Sequence, residues 1–351
     1  LRTKVVILLL MSILLSGLAV GADQNKITVS TTEQLRNVLK TINKTKIATT
    51  IELEDGQYIL SGSPLRISAE HITIRSKSGI RDNVIISGDG MGKGLGNLID
   101  VSADYFSLVG VTLQNSKWHL IQIRAEKDVD FFFMDNCILQ DAGQQLLKVS
   151  GGKSGPYSDS GIIKNSLFQY TAGIGPNYYI GGIDAHRSVD WLIQDNVFKN
   201  IASPAKRVAE HAIHFWDNSK NIKSIGNLII NSDRGIGYGL TKRGKQNSGG
   251  LISDNIIIHT ASDHQFADVG ISLESSPETV ISNNIIFSTS TYPNAIEYRF
   301  DTTVDVIISN NITNKAIKKR NGAKATLIEN NTGGLSRQVM NNIQHLIKQN
   351  N

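Results

Sequence analysis

The sequence predicts an all-β fold, a single-stranded right-handed parallel β-helix with a capping helix at its N-terminal end and another at its C-terminal end. Three observations predict it. A motif of apolar residues around an asparagine recurs along most of the chain. The intervals between copies are filled with short β-rich runs rather than helical periodicity. Amphipathic stripes stand at the two ends of the repeat array.

The motif appears as FMDNCIL at Asn136, IIKNSLF at Asn165, LIQDNVF at Asn196 and SIGNLII at Asn227. It continues as ISDNIII at Asn255, ISNNIIF at Asn284, ISNNIT at Asn311 and IENNT at Asn331, and an earlier copy, SLVGVTL, carries Gly110 in that slot. The steps between asparagines are 29, 31, 31, 28, 29, 27 and 20 residues. Self-similarity in this range means a solenoid, and the missing helical periodicity excludes leucine-rich, ankyrin and tetratricopeptide repeats. What remains is a β-helix with about three strands per turn, its coils stacked about 4.8 Å apart. An asparagine at the same corner of each coil can take left-handed backbone geometry and hydrogen-bond to its stacked neighbours, so the column is structural.

A solenoid needs covered ends. Residues 30–42, STTEQLRNVLKTI, begin with a Ser-x-x-Glu capping box and carry Leu35, Val38, Leu39 and Ile42 at helical spacing. Leu335, Val339, Ile343, Leu346 and Ile347 form the second stripe. The β-helix domain is therefore expected over residues 23–351. Residues 1–22 have a different character. Arg2 and Lys4 precede an apolar run from Val5 to about Leu15, and Val20-Gly21-Ala22 fits a signal-peptidase site. The segment is expected to be a cleaved signal peptide, the alternative being an uncleaved anchor, so the mature protein is expected to be secreted or periplasmic and free of the membrane.

Bulk composition narrows the function. The chain of 351 residues is 40% hydrophobic and only 6% aromatic, and carries one cysteine, Cys137. One cysteine allows no internal disulfide, so packing alone holds the fold. Cys137 is expected to be a small buried hydrophobe. The net charge is +5, of which Arg2 and Lys4 supply two. A modest positive excess is compatible with a polyanionic ligand. No long basic run or RNA-binding signature occurs, which argues against nucleic acid. A monomer is expected.

Counting back from the asparagines by 14, 12 and 10 residues selects one strand per coil, and alternate positions share a face. These positions are Gln122, Arg124 and Glu126; Gly182, Asp184 and His186; Gly270, Ser272 and Glu274; Glu297, Arg299 and Asp301. Between them stand apolar residues such as Ile121, Ile123, Ile183, Ile271, Leu273 and Ile296. The outward face of this sheet is thus expected to form a groove of acids, arginines and a histidine. In the Asn227 coil the same count puts Ile213, Phe215 and Asp217 outward, with Asp217 in the slot of His186. A one-residue bulge would instead expose His214 and Trp216. The loops 151–160 and 241–250 interrupt the repeat and are placed to wall the groove, with Lys242, Arg243 and Lys245 available to substrate carboxylates, or exposed as a plain soluble turn.

Around these residues the chain resembles the mannuronan C5-epimerases and related alginate-acting β-helix proteins. GGIDAHRSVDWLIQDN is similar to that family's tyrosine-glycine-phenylalanine-aspartate-proline-histidine segment, HFWDNSKN to the segment one coil later, and NSDRGIGYGL to its asparagine-aspartate-arginine segment. The similarity covers roughly residues 180–240. It implies catalytic roles for Asp184, His186, Asp217 and Arg234. Ala185 stands where the family has proline and Gly181 where it has the catalytic tyrosine, with Tyr179 or His214 the candidate replacements.

The chemistry asks for such residues. The C5 proton of a uronate is weakly acidic, so an enzyme must neutralise the adjacent carboxylate, remove the proton and stabilise the anion. Arg234 is the candidate neutraliser, His186 the candidate base, and Asp184 and Asp217 its orienting carboxylates. Protonation on the opposite face gives epimerization, and loss of the 4-O substituent gives a lyase. Tyr179, Trp216, Glu274, Glu297, Arg299 and Lys242 are the candidate substrate contacts. No cofactor is required; Glu274, Glu297 and Asp301 could hold Ca²⁺, but pairing with Arg299 is preferred. Two other readings stand beside this one: a glycoside hydrolase, with Asp184 and Asp217 or Glu274 and Asp301 as its carboxylate pair, and a non-catalytic carbohydrate-binding surface.

Overall fold

The structure, a computed structural model, describes residues 25–334 apart from 153, 208–210, 243 and 245, together with 338, 341 and 344–346. Residues 1–24, and with them the expected signal peptide, lie outside the described residues. So do Leu335, Val339, Ile343 and Ile347 of the C-terminal stripe, and Arg243 and Lys245 of the loop.

Short strands wind into coils that stack into three long sheets of twelve, ten and eleven strands, with a fourth sheet of four short strands in the middle coils. Neighbouring strands pair in parallel. The reason lies in the alternation. In Gln145–Ser150, Gly181–His186, Ile213–Trp216 and Ile271–Glu274 of the ten-stranded sheet, one parity is apolar and fully buried: Leu147 and Val149, Ile183 and Ala185, Ile213 and Phe215, Ile271 and Leu273. Pairing in register stacks these residues into columns, as in Leu147, Ile183, Ile213, Ile236 and Ile271. The interior is a continuous apolar core, in which Phe168 stacks on Phe198 with ring centroids 4.6 Å apart.

The helix Thr32–Thr45 buries Leu35, Leu39 and Ile42 in that core. It lies along Leu65–Ile67, the edge strand of the ten-stranded sheet: Asn43 Nδ2 donates to the Arg66 carbonyl at 2.7 Å, and Arg36 donates to the carbonyls of Ser61 and Ser63. An exposed edge is thereby covered. The capping box sits one residue later than the sequence suggests. Thr31 is the N-cap, accepting from the Gln34 amide at 3.2 Å, and the Gln34 side chain accepts from the Ser30 amide at 2.8 Å.

The asparagine column also differs from its sequence reading, because two adjacent residues divide the work. Left-handed geometry belongs to Gly110, Asn136, Asn165, Asp195, Gly226, Asp254, Asn283, Asn310 and Asn330. The next residue inward forms the ladder. Each of Asn196, Asn227, Asn255 and Asn284 is fully or almost fully buried and donates both its backbone amide and its Nδ2 to the Oδ1 of the next asparagine, at 2.9–3.1 Å. Asn311 does the same to Asn331. Asn136 and Asn165 are therefore corner residues, and their ladder positions are held by Cys137 and Ser166. The Cys137 amide donates to Ser166 Oγ and the Ser166 amide to Asn196 Oδ1, both at 3.0 Å. Cys137 is buried, and desolvation pushes its thiol up to about 12.

Candidate functional site

The site is built on the outward parity of the ten-stranded sheet. Register places Gln122, Lys148, Asp184 and His214 side by side on successive coils, followed by Gly237, Ser272 and Glu297. A second column sets His186 beside Trp216 and Glu274 beside Arg299.

This corrects the expected register of the Asn227 coil. Ile213 and Phe215 face the core, His214 and Trp216 face the groove, and the partner of His186 is Trp216 rather than Asp217. The cause is one extra residue at the corner. Between His186 and Ser188 stands only Arg187, whereas Asp217 and Asn218, both left-handed, stand between Trp216 and Ser219. Asp217 still meets the cluster from that corner, its Oδ2 lying 3.9 Å from His186 Nδ1.

Asp184 is the centre. Its Oδ2 accepts a short hydrogen bond from Lys148 Nζ, and its Oδ1 accepts from Trp216 Nε1 at 2.7 Å. His214 Nδ1 is 3.6 Å from the same oxygen. Burial alone would raise this carboxyl, but Lys148, then His214 and His186, outweigh it and hold Asp184 well below the usual carboxylate range. It is a permanent anion that fixes its neighbours.

Lys148 Nζ also lies 2.9 Å from His186 Nε2. An ammonium only donates, so Nε2 is the accepting nitrogen and Nδ1 carries the hydrogen toward Asp217. Burial, helped by the Lys148 charge and opposed by Asp184, pushes His186 down to about 4. A neutral imidazole and a cation thus stand in hydrogen-bond contact over one carboxylate. Trp216 packs its ring edge against His186, with centroids 4.3 Å apart, and stacks with His214 at 5.8 Å.

The His214 side of the cluster is closed by His211. Gly237, the next position after His214, has no side chain, and a Cβ there would lie 2.5 Å from His211 Nε2. The His211 ring fills that space, its Nε2 bonding Ser272 Oγ at 3.0 Å and its centroid 4.5 Å from that of His214. It is fully desolvated and stays neutral, pushed well below the ordinary histidine value.

The remaining expected residues are placed elsewhere. Arg234 does not face Asp184; its Nε and Nη2 donate to Asp268 Oδ2 at 3.0 and 2.8 Å. Glu274 accepts from Arg299 at 2.7 Å and from the Thr241 amide at 2.6 Å. Glu297 accepts from Tyr292, Asn294 and Arg320, and despite burial these partners hold it below its usual value. Lys242 pairs with Asp301 at 3.1 Å on the exposed rim. Glu274, Glu297 and Asp301 do not converge as a cation site among the described residues; Glu274 pairs with Arg299, the arrangement preferred above. Tyr179 is exposed just before the strand Gly181–His186, beside Tyr178, and its carbonyl accepts from Gln145.

Sequence reasoning missed Lys148, His211 and Asp268. Lys148 carried a signal: in QLLKVS it stands between apolar Leu147 and Val149, as Asp184 does between Ile183 and Ala185. The loop 151–160 lengthens the interval to Asn165, so a fixed count back from that asparagine passes over it.

No protein-family model matches the sequence, and no curated protein matches it. Solved structures do. The alginate lyase of Paenibacillus sp. strain FPU-7 is 16% identical with a TM-score of 0.50, over 88% of this chain and 98% of that one. A point mutant of the DFA-IIIase of Arthrobacter chlorophenolicus A6, in complex with DFA-III, is 10% identical with a TM-score of 0.51, over 92% and 89%. At such identities the likeness speaks to fold alone. The chain is a right-handed parallel β-helix. A polygalacturonase from Erwinia carotovora ssp. carotovora also matches, at 11% identity and a TM-score of 0.48, over 89% of this chain and 97% of that one. Among the described residues of the β-helix, no helix is long and apolar enough to cross a membrane.

Proposed function

We propose that this β-helix is an exported, monomeric enzyme that removes the C5 proton of a uronate within an acidic, alginate-like polysaccharide. One observation carries the reading: a neutral histidine, His186, in contact with a largely buried cation, Lys148, on the outward parity of the ten-stranded sheet. The named substrate of the Paenibacillus alginate lyase, which shares the architecture, is of the same class.

Lys148 takes the part that the sequence assigns to Arg234. Its ammonium, oriented by Asp184, meets the substrate carboxylate and stabilises the charge that grows on it as the proton leaves. His186 is the base once Lys148 turns its hydrogen bond from Nε2 to the substrate carboxylate, and its low pKa keeps it unprotonated at neutral pH. Asp217 faces its Nδ1 and stabilises the imidazolium that forms. Trp216 holds the ring edge-on, and Trp118 and Tyr179, exposed before strands of the same sheet, offer sugar-stacking faces. With Gly181 in place of the family's tyrosine, β-elimination is favoured over epimerization, His186 returning its proton to the departing 4-O.

A glycoside hydrolase fits less well. It requires one carboxyl kept protonated as the general acid. In the groove, Asp184 and Glu297 are both shifted the opposite way. The test is incubation of the mature protein with alginate, pectate and glycosaminoglycans, followed in the ultraviolet for unsaturated uronate ends. A rise with alginate, abolished by Lys148→Ala, is expected. Saturated reducing ends would instead mean hydrolysis, a changed mannuronate-to-guluronate ratio in the polymer would mean epimerization, and binding without any product would overturn the enzymatic reading.

A further inference from the structure

A second cluster lies outside the groove. Asp233 follows the strand Leu228–Ile230 of the eleven-stranded sheet, His259 ends the strand Ile256–His259 on the next coil, and His264 comes from the loop after it. One ligand-capable atom from each lies within 4.8 Å of the others. His264 Nδ1 is 3.5 Å from Asp233 Oδ1 and 3.3 Å from His259 Nε2. The side chains of Asp233 and His264 are 0% and 5% exposed, and His259 is 6% exposed.

Hydrogen bonding alone does not account for this arrangement. A single proton on His264 Nδ1 cannot serve two acceptors, and 3.5 Å is too long for a good bond to the carboxylate. Asp233 Oδ1 is left as a buried oxygen with no hydrogen-bond donor. A carboxylate oxygen that deep calls for a positive partner, either the protonated His264 ring or a metal ion. The spacing suits a metal ion better. Ligands about 2.0–2.1 Å from a tetrahedral zinc stand about 3.3–3.4 Å from one another. The surroundings are those of a held ligand set: Asp233 Oδ2 accepts from the Ser203 amide at 2.6 Å, and the His264 ring hydrogen-bonds the Gly173 backbone.

We propose that Asp233, His259 and His264 form a binding site for a divalent transition-metal ion, of which Zn²⁺ is the best fit, with the fourth position left to water. Two imidazoles and a carboxylate without a thiolate favour zinc over calcium or magnesium, which take oxygen ligands. The site clamps the loop that carries His264 and Asp268 onto the coil. Asp268 is tied to the same place twice, its amide donating to the Asp233 carbonyl at 2.7 Å and its carboxylate holding Arg234. The metal therefore fixes the loop that positions Arg234 through Asp268. The inference does not depend on the reaction in the groove.

The experiment is metal analysis of the full mature chain, stripped with a chelator and dialysed against Zn²⁺, beside His264→Ala and His259→Gln. One zinc per wild-type chain, a melting temperature that rises with Zn²⁺, and loss of both in the variants are expected. Wild-type protein that retains no zinc overturns the site, as does full retention by the folded variants. Should the variants fail to fold, Co²⁺ loaded into wild-type protein decides: intense tetrahedral d–d absorption supports the site, and the weak spectrum of hexa-aqua-like Co²⁺ overturns it.

Discussion

Two polar columns run along this β-helix, and they are built on opposite principles. In the ladder from Asn196 to Asn331 the same side chain recurs, and each copy satisfies the next. In the groove column, Gln122, Lys148, Asp184, His214, Ser272 and Glu297 stand at the same coil spacing, yet no two neighbours are alike. A repeated amide closes its own hydrogen-bond account and leaves nothing for a ligand. A mixed column keeps charge, a lone pair and a cation in contact, which costs desolvation and provides reactivity. Repetition marks the scaffold here, and heterogeneity marks the site.

The sharpest way to break this contrast is to cut each column once. His186→Ala is expected to lower turnover on alginate by about 10³-fold, the usual weight of a general base, while the urea midpoint stays close to wild type. The side chain lies at the groove surface, 16% exposed, so its removal opens no core cavity. A large fall in the urea midpoint with turnover per folded molecule unchanged would place His186 in the scaffold and erase the distinction.

Asn255→Ala should do the reverse. It strips the acceptor from the Asn227 amide and Nδ2, the side-chain donor from the Ser224 carbonyl, and one of the two donors to Asn284 Oδ1, whose bond from the Asn255 backbone amide stays. Buried groups left unpaired cost about 1–3 kcal/mol, so a loss on the order of 3 kcal/mol is expected in urea unfolding. The Michaelis constant of the folded fraction should hold. Asn136→Ala, at the half-buried corner, is a useful contrast, since it removes only a long hydrogen bond to the Gly79 carbonyl and otherwise acts through left-handed backbone strain.

The contrast also explains what could be read in the sequence. The ladder repeats, so the fold, its coil length and its apolar parity were legible from Asn196 to Asn331. The offset between corner and ladder was not, because Asn occupies both columns in ISNNIIF and ISNNIT. The groove residues Asp184 and His186 were legible through alternation. His214 and Trp216 needed knowledge of one extra corner residue, Asn218, and Lys148 was hidden by a loop insertion. Arg234 was misplaced because no pattern in the sequence announces Asp268, 34 residues away, as its partner.

Acid should separate the columns by a smaller margin and without mutation. Amide side chains do not titrate, but His186, and His119, which is buried just before the strand Ile121–Arg124 with its ring against the Gln145 carbonyl, are each pushed down to about 4, chiefly by burial. Unfolded, both return to about 6.5. Between these values the unfolded chain binds protons that the folded chain refuses, so stability falls as pH drops through about 6.5 and goes on falling until about 4. The depressed Asp184 adds its own loss only at lower pH, as it begins to protonate in the unfolded chain below about 4. At pH 5 each histidine should therefore cost about 2 kcal/mol relative to pH 7. Urea midpoints for the wild type and His186→Ala check this. The variant should lose less stability than the wild type between pH 7 and pH 5, by about one histidine's share. Equal losses would mean that His186 is already protonated in the folded protein at pH 5, and with that the neutral base facing Lys148 would be gone.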